Sequence, residues 1–277
     1  MSQFIRHYLL AIQFFTRLPV TGSVAAWVGF SPAMLRASTA HFPGVGWLVG
    51  ALVAGFTWGL LRLLPASPFA PLVAAVLGTG LGVLITGAFH EDGLADVADG
   101  LGGTQNRERA LEIMKDSRVG AFGAIATVLV LLAKVALLAL LGSLPSVDSY
   151  LVLCVALFAA HVVSRTWPLL IIRLLPHVGD AAGSKSKPLA DQISLASLGV
   201  AFLWCFSALA LVQTAWLAIS LVALSAALAG SAIAFVVMWR WFARRLQGFT
   251  GDCLGATQQV CELAFYIGLA LAWSPPT

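Results

Sequence analysis

The sequence has few charged side chains. Its 277 residues include 16 Lys and Arg and 12 Asp and Glu, against 60% hydrophobic residues and a mean hydropathy of +0.92. One soluble core cannot bury that much apolar surface, so lipid is expected to cover part of it. The apolar runs lack the alternation of barrel strands, and helices pair their own backbone groups inside a bilayer. We therefore predict an all-α, polytopic membrane helix bundle, with residues 1–277 as one integral membrane domain.

Several familiar motifs are absent. The four cysteines show no Cys-x-x-Cys spacing, and Cys154 and Cys205 fall inside apolar runs, so buried thiols are expected rather than disulfides or a zinc site. The sequence has no Gly-x-x-x-x-Gly-Lys-Ser/Thr phosphate loop, no Gly-x-Gly-x-x-Gly, no His-Glu-x-x-His and no Gly-x-Ser-x-Gly. Any nucleotide would therefore be held through its phosphates and a metal ion. No basic patch with interleaved aromatics suggests a nucleic-acid partner.

Long apolar runs indicate where the chain crosses the membrane. A spanning helix needs about 20 mainly apolar residues, and this criterion predicts seven spans, near 44–62, 71–90, 120–141, 149–173, 194–212, 216–239 and 256–273. Before them, an N-terminal helix over residues 3–17 places Phe4, Tyr8, Ile12 and Phe15 on one face. That pattern is typical of a helix lying in the membrane interface.

The basic residues between these spans predict the orientation of the chain, because Lys and Arg concentrate in cytoplasmic loops. They occur before the first span and after the second, fourth and sixth: Arg6, Arg17, Arg36; Arg107, Arg109, Lys115, Arg118; Lys185, Lys187; Arg240, Arg244, Arg245. The intervening connections carry none. The N-terminus is therefore predicted to be cytoplasmic, and the net charge of +4 reflects orientation.

Acidic residues cluster after the second predicted span. In a helix continuing that span, Asp92, Asp96 and Asp99 would lie within about 60° of one another, whereas Glu91 points about 100° away from Asp92 and is a weaker candidate ligand. Three carboxylates on one face repel each other, and a divalent cation would relieve the repulsion. Hard oxygen ligands favour Mg²⁺ or Mn²⁺ over zinc. The alternative interpretation is a solvated helix end.

The glycines of this segment, Gly93, Gly100, Gly102 and Gly103, leave room for a phosphate or another backbone. Metal, phosphate and carboxylates together favour phosphoryl or nucleotidyl transfer. On the same predicted side of the membrane, Lys115, Asp116 and Arg118 are candidates for binding phosphate oxygens. Asp252, at the start of the last span, is a candidate N-cap or a further metal ligand.

Three polar residues lie in or beside the predicted spans. Arg165 is a candidate contact for a substrate phosphate, and His90 is a candidate donor to a polar ligand. Lys134 lies deeper, where a charge is costly and usually faces the bundle interior. We expect no acidic residue at the depth of Lys134 or Arg165.

Taken together, several motifs resemble those of the cobalamin synthases, the adenosylcobinamide-GDP ribazoletransferases. They occur in family order: Phe14-Phe15-Thr16-Arg17-Leu18-Pro19, Phe42-Pro43-Gly44-Val45-Gly46, Glu91-Asp92-Gly93-Leu94-Ala95-Asp96 with Asp99-Gly100, Met114-Lys115-Asp116-Ser117-Arg118-Val119-Gly120, and Gly251-Asp252 with Leu254-Gly255-Ala256. The matches extend over nearly the full length, and the loop from His177 to Gln192 matches no pattern of the family.

The resemblance implies a Mg²⁺-dependent transfer on the cytoplasmic face. The ribose 3′-hydroxyl of α-ribazole, or of its 5′-phosphate, would attack the corrinoid-linked phosphate of adenosylcobinamide-GDP and expel GMP. Asp92, Asp96 and Asp99 would hold the metal, and Asp99 is the candidate base. The resemblance is compatible with a homo-oligomer.

Two alternatives come from other classes of protein. A CDP-alcohol phosphotransferase-like lipid enzyme also carries Asp residues along membrane helices, but here no Ala-Arg pair follows Asp92-Gly93 and the spacing to Asp99 is shorter. An ion-coupled transporter would place paired charges near the membrane midplane. Because Lys134 and Arg165 are expected to lack acidic partners, the enzyme interpretation is favoured.

Overall fold

The structure is a computed structural model that describes residues 2–144, 149–179, 192–215 and 219–273. Within these ranges the regular elements are helical: α1 Ser2–Phe15, α2 Gly22–Val28, α3 Pro32–Ser38, a short 3-10 helix Thr39–His41, α4 Phe42–Leu63, α5 Ala70–Thr86, α6 Phe89–Gly103, α7 Arg107–Ile113, α8 Ala121–Leu141, α9 Ser149–Ser164, α10 Trp167–Leu174, α11 Leu195–Ala215, α12 Leu221–Arg245 and α13 Gly251–Leu271. The all-α prediction is confirmed. Lys185 and Lys187, used above for orientation, lie outside the described residues.

Among the described residues, five helical segments are long and apolar enough to cross a membrane: Pro32–Leu63, Ala121–Leu141, Ser149–Leu174, Leu195–Thr214 and Leu221–Arg245. A sixth is obtained if α5 and α6 count together as one broken span. The seventh predicted span corresponds to α13. This helix is long enough to cross a membrane, but it also carries Asp252, Gln258, Gln259 and Glu262. The multi-pass bundle is thus confirmed, and the predicted count of seven is roughly consistent with these helices.

The second predicted span, 71–90, is wrong in one respect that matters for the site. The acidic helix does not continue α5, because the chain bends by 90° between α5 and α6. Gly87 and Ala88 both adopt left-handed backbone conformations, with φ of 68° and 58°. The backbone N–H of Arg17 donates to the carbonyl of Ile85 at 2.6 Å, and the Arg17 side chain packs against Gly87. The carboxylates therefore lie on a helix that turns away from α5.

At the centre of the bundle is the α9–α10 segment, most of which is buried. It is interrupted at Arg165 and Thr166, inside the predicted fourth span. Helix α4 packs closely on α9, where a Cβ at Gly50 would lie 3.1 Å from the Phe158 carbonyl oxygen. Helix α12 approaches α13 in the same way at Gly230. Small residues thus allow the close helix packing that stabilises membrane bundles.

The N-terminal helix uses its predicted apolar face to pack on α4. The Tyr8 hydroxyl donates to the Gly44 carbonyl at 3.0 Å, and the rings of Phe15 and Phe42 are 4.4 Å apart. By contrast, α8 exposes a row of aliphatic side chains that includes Ile125 and Leu129. Such a row suits contact with lipid.

Candidate active site

Two glycines allow α6 and α13 to cross in close contact. A Cβ at Gly93 would lie 2.8 Å from the Asp252 carbonyl oxygen and 3.1 Å from its Cα. Across the same crossing, a Cβ at Gly255 would lie 3.2 Å from the His90 carbonyl oxygen. Larger side chains would separate the two helices. Asp252 is 160 residues from Asp92 in the sequence. The crossing therefore brings it beside the acidic face of α6.

We call Asp92, Asp96, Asp99 and Asp252 the acidic cluster. The carboxylate of Asp96 is repelled by those of Asp252, Asp92 and Asp99, so the four residues share one electrostatic environment. Their exposure differs along α6, since Asp92 is exposed, Asp96 is partly buried and Asp99 is buried. The sequence analysis placed Asp92, Asp96 and Asp99 on one helix face, and in the structure their carboxylates are close enough to repel one another. They differ in how far solvent can reach them.

Asp99 fastens α6 to the beginning of α8. Its Oδ2 accepts a hydrogen bond from the Gly120 N–H at 2.7 Å, and its Oδ1 accepts one from the Gly123 N–H at 2.8 Å. These amides belong to the first turn of α8, where helix N–H groups have no partner within the helix. A Cβ at Gly120 or Gly123 would collide with the Asp99 carboxylate. The glycines thus admit the carboxylate, which also interacts favourably with the helix dipole.

The other candidate metal ligands differ in accessibility. Asp252 is not the N-cap of α13, because Thr250 occupies that position and donates from its Oγ1 to Asp252 Oδ2 at 3.1 Å. Glu91 is buried and accepts from Gln259 Nε2 at 2.9 Å. Across the described ranges, no three His, Cys, Asp or Glu side chains converge as a ready metal-ligand group. A cation here would need ligands from elsewhere, which Mg²⁺ commonly obtains from water and substrate phosphates.

The loop between α7 and α8 presents Lys115, Asp116 and Arg118 beside α6. Arg118 Nη2 donates to Asp116 Oδ2 at 2.6 Å, and its Nε donates to Asp116 Oδ1 at 3.0 Å. These hydrogen bonds lower the pKa of Asp116 to about 2. The loop is anchored at both ends, by Asp99 at Gly120 and by Met114, whose Cγ would lie 2.7 Å from a Cβ at Gly100.

Arg165 and His90 are both buried inside the bundle. Arg165 is 1% exposed, and its Nη1 donates to the His161 carbonyl and contacts His161 Nδ1, both at 2.9 Å. Its guanidinium carbon is 5.8 Å from the centre of the Phe42 ring. His90 stacks on the same Phe42 ring at 5.7 Å. Arg165 is therefore engaged by protein groups rather than presented on the surface.

The expectation that Lys134 has no acidic partner is wrong. Lys134 Nζ lies 2.7 Å from Glu262 Oε1, and both side chains are almost fully buried. Tyr266 donates to Glu262 Oε1 and Gln258 donates to Glu262 Oε2, at 2.9 and 2.8 Å. The sequence analysis missed this network. The signal was present, because Gln258, Glu262 and Tyr266 recur every four residues and so share one face of α13.

A protein-family model and several known proteins each match nearly the whole chain. The model of the family described as cobalamin-5-phosphate synthase matches residues 7–270. The chain is similar to proteins named adenosylcobinamide-GDP ribazoletransferase from Albidiferax ferrireducens, at 71% identity over 98% of this chain and 99% of that protein, and from Leptothrix cholodnii, at 45% over 97% and 96%. A Vibrio cholerae relative of the same name is 41% identical over 94% and 91%. No solved structure matches.

Proposed function

The chain belongs to the cobalamin-5-phosphate synthase family, and we propose that this enzyme joins adenosylcobinamide-GDP to α-ribazole, or to its 5′-phosphate, with release of GMP. The observation that carries the proposal is the crossing of α6 and α13, which brings Asp92, Asp96 and Asp252 into one electrostatic cluster, with Asp92 exposed. The names of the relatives indicate the two substrates. The product is a cobalamin or its 5′-phosphate.

The chemistry is a substitution at phosphorus. The ribose 3′-hydroxyl oxygen forms a bond to the corrinoid-linked phosphorus, and the bond from that phosphorus to the bridging oxygen breaks. The bridging oxygen leaves with GMP, and the hydroxyl proton passes to a base. The protein must therefore accept one proton, hold a charged diphosphate and position the hydroxyl in line with the leaving group.

We assign the acceptance of the proton to Asp96 rather than to Asp99. Asp96 is partly buried, as is Asp252, and its carboxylate is repelled by those of Asp252 and the exposed Asp92. Both oxygens of the buried Asp99 accept backbone N–H groups, and such bonds stabilise the charged form of a carboxylate and weaken it as a base. In this assignment Asp99 is a positioning residue that holds α6 against α8.

Mg²⁺ is proposed as the cofactor, held by Asp92 and Asp252 together with the substrate diphosphate. Hard carboxylate oxygens suit this ion, and its preference for a few protein ligands fits the absence of a closed ligand group among the described side chains. When bound, Mg²⁺ offsets negative charge on the diphosphate and on the departing GMP. Lys115 and Arg118, on the anchored loop beside α6, are proposed to bind the phosphates of the GDP moiety.

The site is proposed to face the cytoplasm of a bacterial inner membrane. The end of α6 that follows the acidic cluster is held by basic residues, because Arg245 donates to the carbonyls of Leu101 and Thr104 at 3.2 and 2.5 Å. Arg107 donates to the Leu246 carbonyl at 2.7 Å. This concentration of arginines beside the site agrees with the positive-inside rule.

Purified protein in lipid nanodiscs, given adenosylcobinamide-GDP, α-ribazole and Mg²⁺, should release GMP and form a cobalamin in equal amounts. Asp92→Asn should reduce the rate strongly. Glu108→Gln is the matched control, because Glu108 is an exposed acid on α7 that lies near Arg107 rather than in the acidic cluster. Absence of both products from folded protein with active substrates would contradict the proposal.

A further inference from the structure

An apolar groove runs along α4 toward the C-terminal end of that helix. It has a volume of about 460 Å³ and lies between α4, α9 and α11. On α4, its lining extends from Trp47 to Trp58. The acidic helix α6 instead contacts the beginning of α4, where Phe42 stacks on His90. The groove therefore extends from beyond that contact toward the opposite end of α4.

Small residues of α4 keep the groove open. Ala51 and Gly55 line it and are exposed, and a Cβ at Gly55 would meet no described atom within 4 Å. Water in such a groove would find few hydrogen-bond partners on apolar walls, and an empty groove would lose the dispersion contacts of its lining. In a membrane bundle, an apolar chain from the bilayer is the occupant that avoids both costs.

The length of the groove matches the depth of one lipid leaflet. Between Trp47 and Trp58 the helix rises by about 16 Å, at about 1.5 Å per residue. Half of the hydrocarbon core of a bilayer is about 15 Å thick. Trp58 lies near the end of α4, and tryptophan rings are enriched at the boundary between lipid and water. The groove therefore has the extent of one acyl chain that runs from the boundary to the middle of the membrane.

A positive charge lies at the boundary end of the groove. Arg62, one turn after Trp58, is exposed, and its guanidinium carbon is 4.4 Å from the centre of the Trp58 ring. Within the described ranges, no acidic side chain pairs with Arg62. A guanidinium that stacks on an aromatic ring still presents its N–H groups at its edge, in a geometry that matches phosphate oxygens. The end of the groove thus favours an anionic headgroup.

We propose that this groove binds one acyl chain of an anionic phospholipid, with the headgroup phosphate on Arg62. The apolar walls match the chain, and the exposed guanidinium matches the charge of the headgroup. A helix of a second copy fits less well, because a cylinder about 10 Å wide and 16 Å long fills roughly 1,200 Å³. That volume is well above the 460 Å³ of the groove. The site is independent of the proposed transfer reaction.

Native mass spectrometry of delipidated protein, titrated with phosphatidylglycerol or with phosphatidylcholine of the same acyl chains, tests the site. Wild-type protein should bind one phosphatidylglycerol about fivefold more tightly than phosphatidylcholine, in line with the contribution of one basic residue. Gly55→Leu fills the groove and should weaken binding of both lipids at least tenfold. Gly80→Leu is the matched control, because Gly80 is an exposed residue of α5 whose Cβ would also meet no described atom within 4 Å. It should bind both lipids as wild type does.

Two further measurements test the headgroup contact and the place of the chain. Arg62→Gln should lower the affinity for phosphatidylglycerol about fivefold and leave that for phosphatidylcholine unchanged, while Arg62→Lys should keep most of the preference. Equal losses for both lipids in Arg62→Gln would overturn the role of Arg62. A phosphatidylglycerol with a photoreactive group at the end of its acyl chain should label α4 near Trp47 in preference to the exposed row of α8 that includes Ile125.

The outcomes separate this site from the proposed function, since lipid binding is measured without turnover. Loss of phosphatidylglycerol binding in folded Gly55→Leu protein, with normal binding in Gly80→Leu, supports the site. Equal binding in wild type and Gly55→Leu, or labelling confined to α8, refutes it. A lipid-free dimer that Gly55→Leu dissociates would assign the groove to a second copy and would also refute it.

Discussion

Replacing Gly93 by alanine tests whether the α6–α13 contact sets the geometry of the active site. The added Cβ would lie 2.8 Å from the Asp252 carbonyl oxygen, whereas ordinary contact begins near 3.4 Å, so the helices must separate by about 0.6 Å. The atoms in the way belong to backbone, which cannot rotate aside. Overpacking of this kind costs about 1–3 kcal/mol, offset by up to about 1 kcal/mol of improved helix propensity. We expect a net loss of about 1–2 kcal/mol.

The effect of Gly93→Ala on catalysis should exceed its effect on stability. A displacement of about 1 Å in a catalytic group can cost about a hundredfold in rate, so a shift of this size is expected to lower kcat at least tenfold. Gly103→Ala is the control on the same helix, because the nearest atom to its Cβ would be Ile113 Cδ1 at an ordinary 3.8 Å. It should retain wild-type stability and turnover.

Unfolding of detergent-solubilised protein and the GMP-release assay measure both quantities. Wild-type kcat in folded Gly93→Ala protein would refute the idea that this close approach positions the acidic cluster. Equal losses in the Gly93 and Gly103 variants would also refute it, since only the first is predicted to disturb the crossing.

Three further outcomes follow from the described contacts. Lys134→Met leaves the buried Glu262 without its cation and should lower unfolding stability by about 3–5 kcal/mol, while adding Glu262→Met should recover part of the loss in a double-mutant cycle; independent, additive losses would contradict the pairing. Asp99→Asn weakens two charge-assisted bonds and should cost about 1–2 kcal/mol, with faster hydrogen exchange at the amides of Gly120 and Gly123; unchanged exchange would contradict the anchoring role. Chelation of divalent cations should abolish GMP release, and added Mg²⁺ should restore it; full turnover after chelation would remove Mg²⁺ from the mechanism.

Sequence patterns predicted the helices well because long apolar runs leave few alternatives in a bilayer. They did not predict the bend between α5 and α6. Alanine at position 88 is a good helix former, and its left-handed conformation is unfavourable on local grounds. The bend coincides with a tertiary contact, the packing of Arg17 from the N-terminal segment against Gly87 and its hydrogen bond to Ile85. The residues around position 88 do not indicate a contact with a segment that is distant in the sequence.

The pairing of Lys134 with Glu262 was missed for a related reason. The lysine lies on α8 and the glutamate on α13, and hydropathy places each residue by depth without showing which helix faces meet. The regular spacing of Gln258, Glu262 and Tyr266 identifies a polar face on α13, but not its neighbour. Helix packing then decides whether a buried charge is isolated or paired, and an isolated one is far more costly.

The acidic cluster shows what a helical projection can and cannot assign. By projection alone, Asp92, Asp96 and Asp99 are equivalent, since they share one face of one helix. Their environments differ because neighbouring helices cover α6 unequally, with α8 closing over Asp99 through Gly120 and Gly123 and leaving Asp92 exposed. A carboxylate that holds two backbone amides stabilises structure, while an exposed one remains available to a cation or a substrate. The covering helix, rather than the spacing along α6, therefore separates Asp99, which holds α8, from Asp92, which remains exposed.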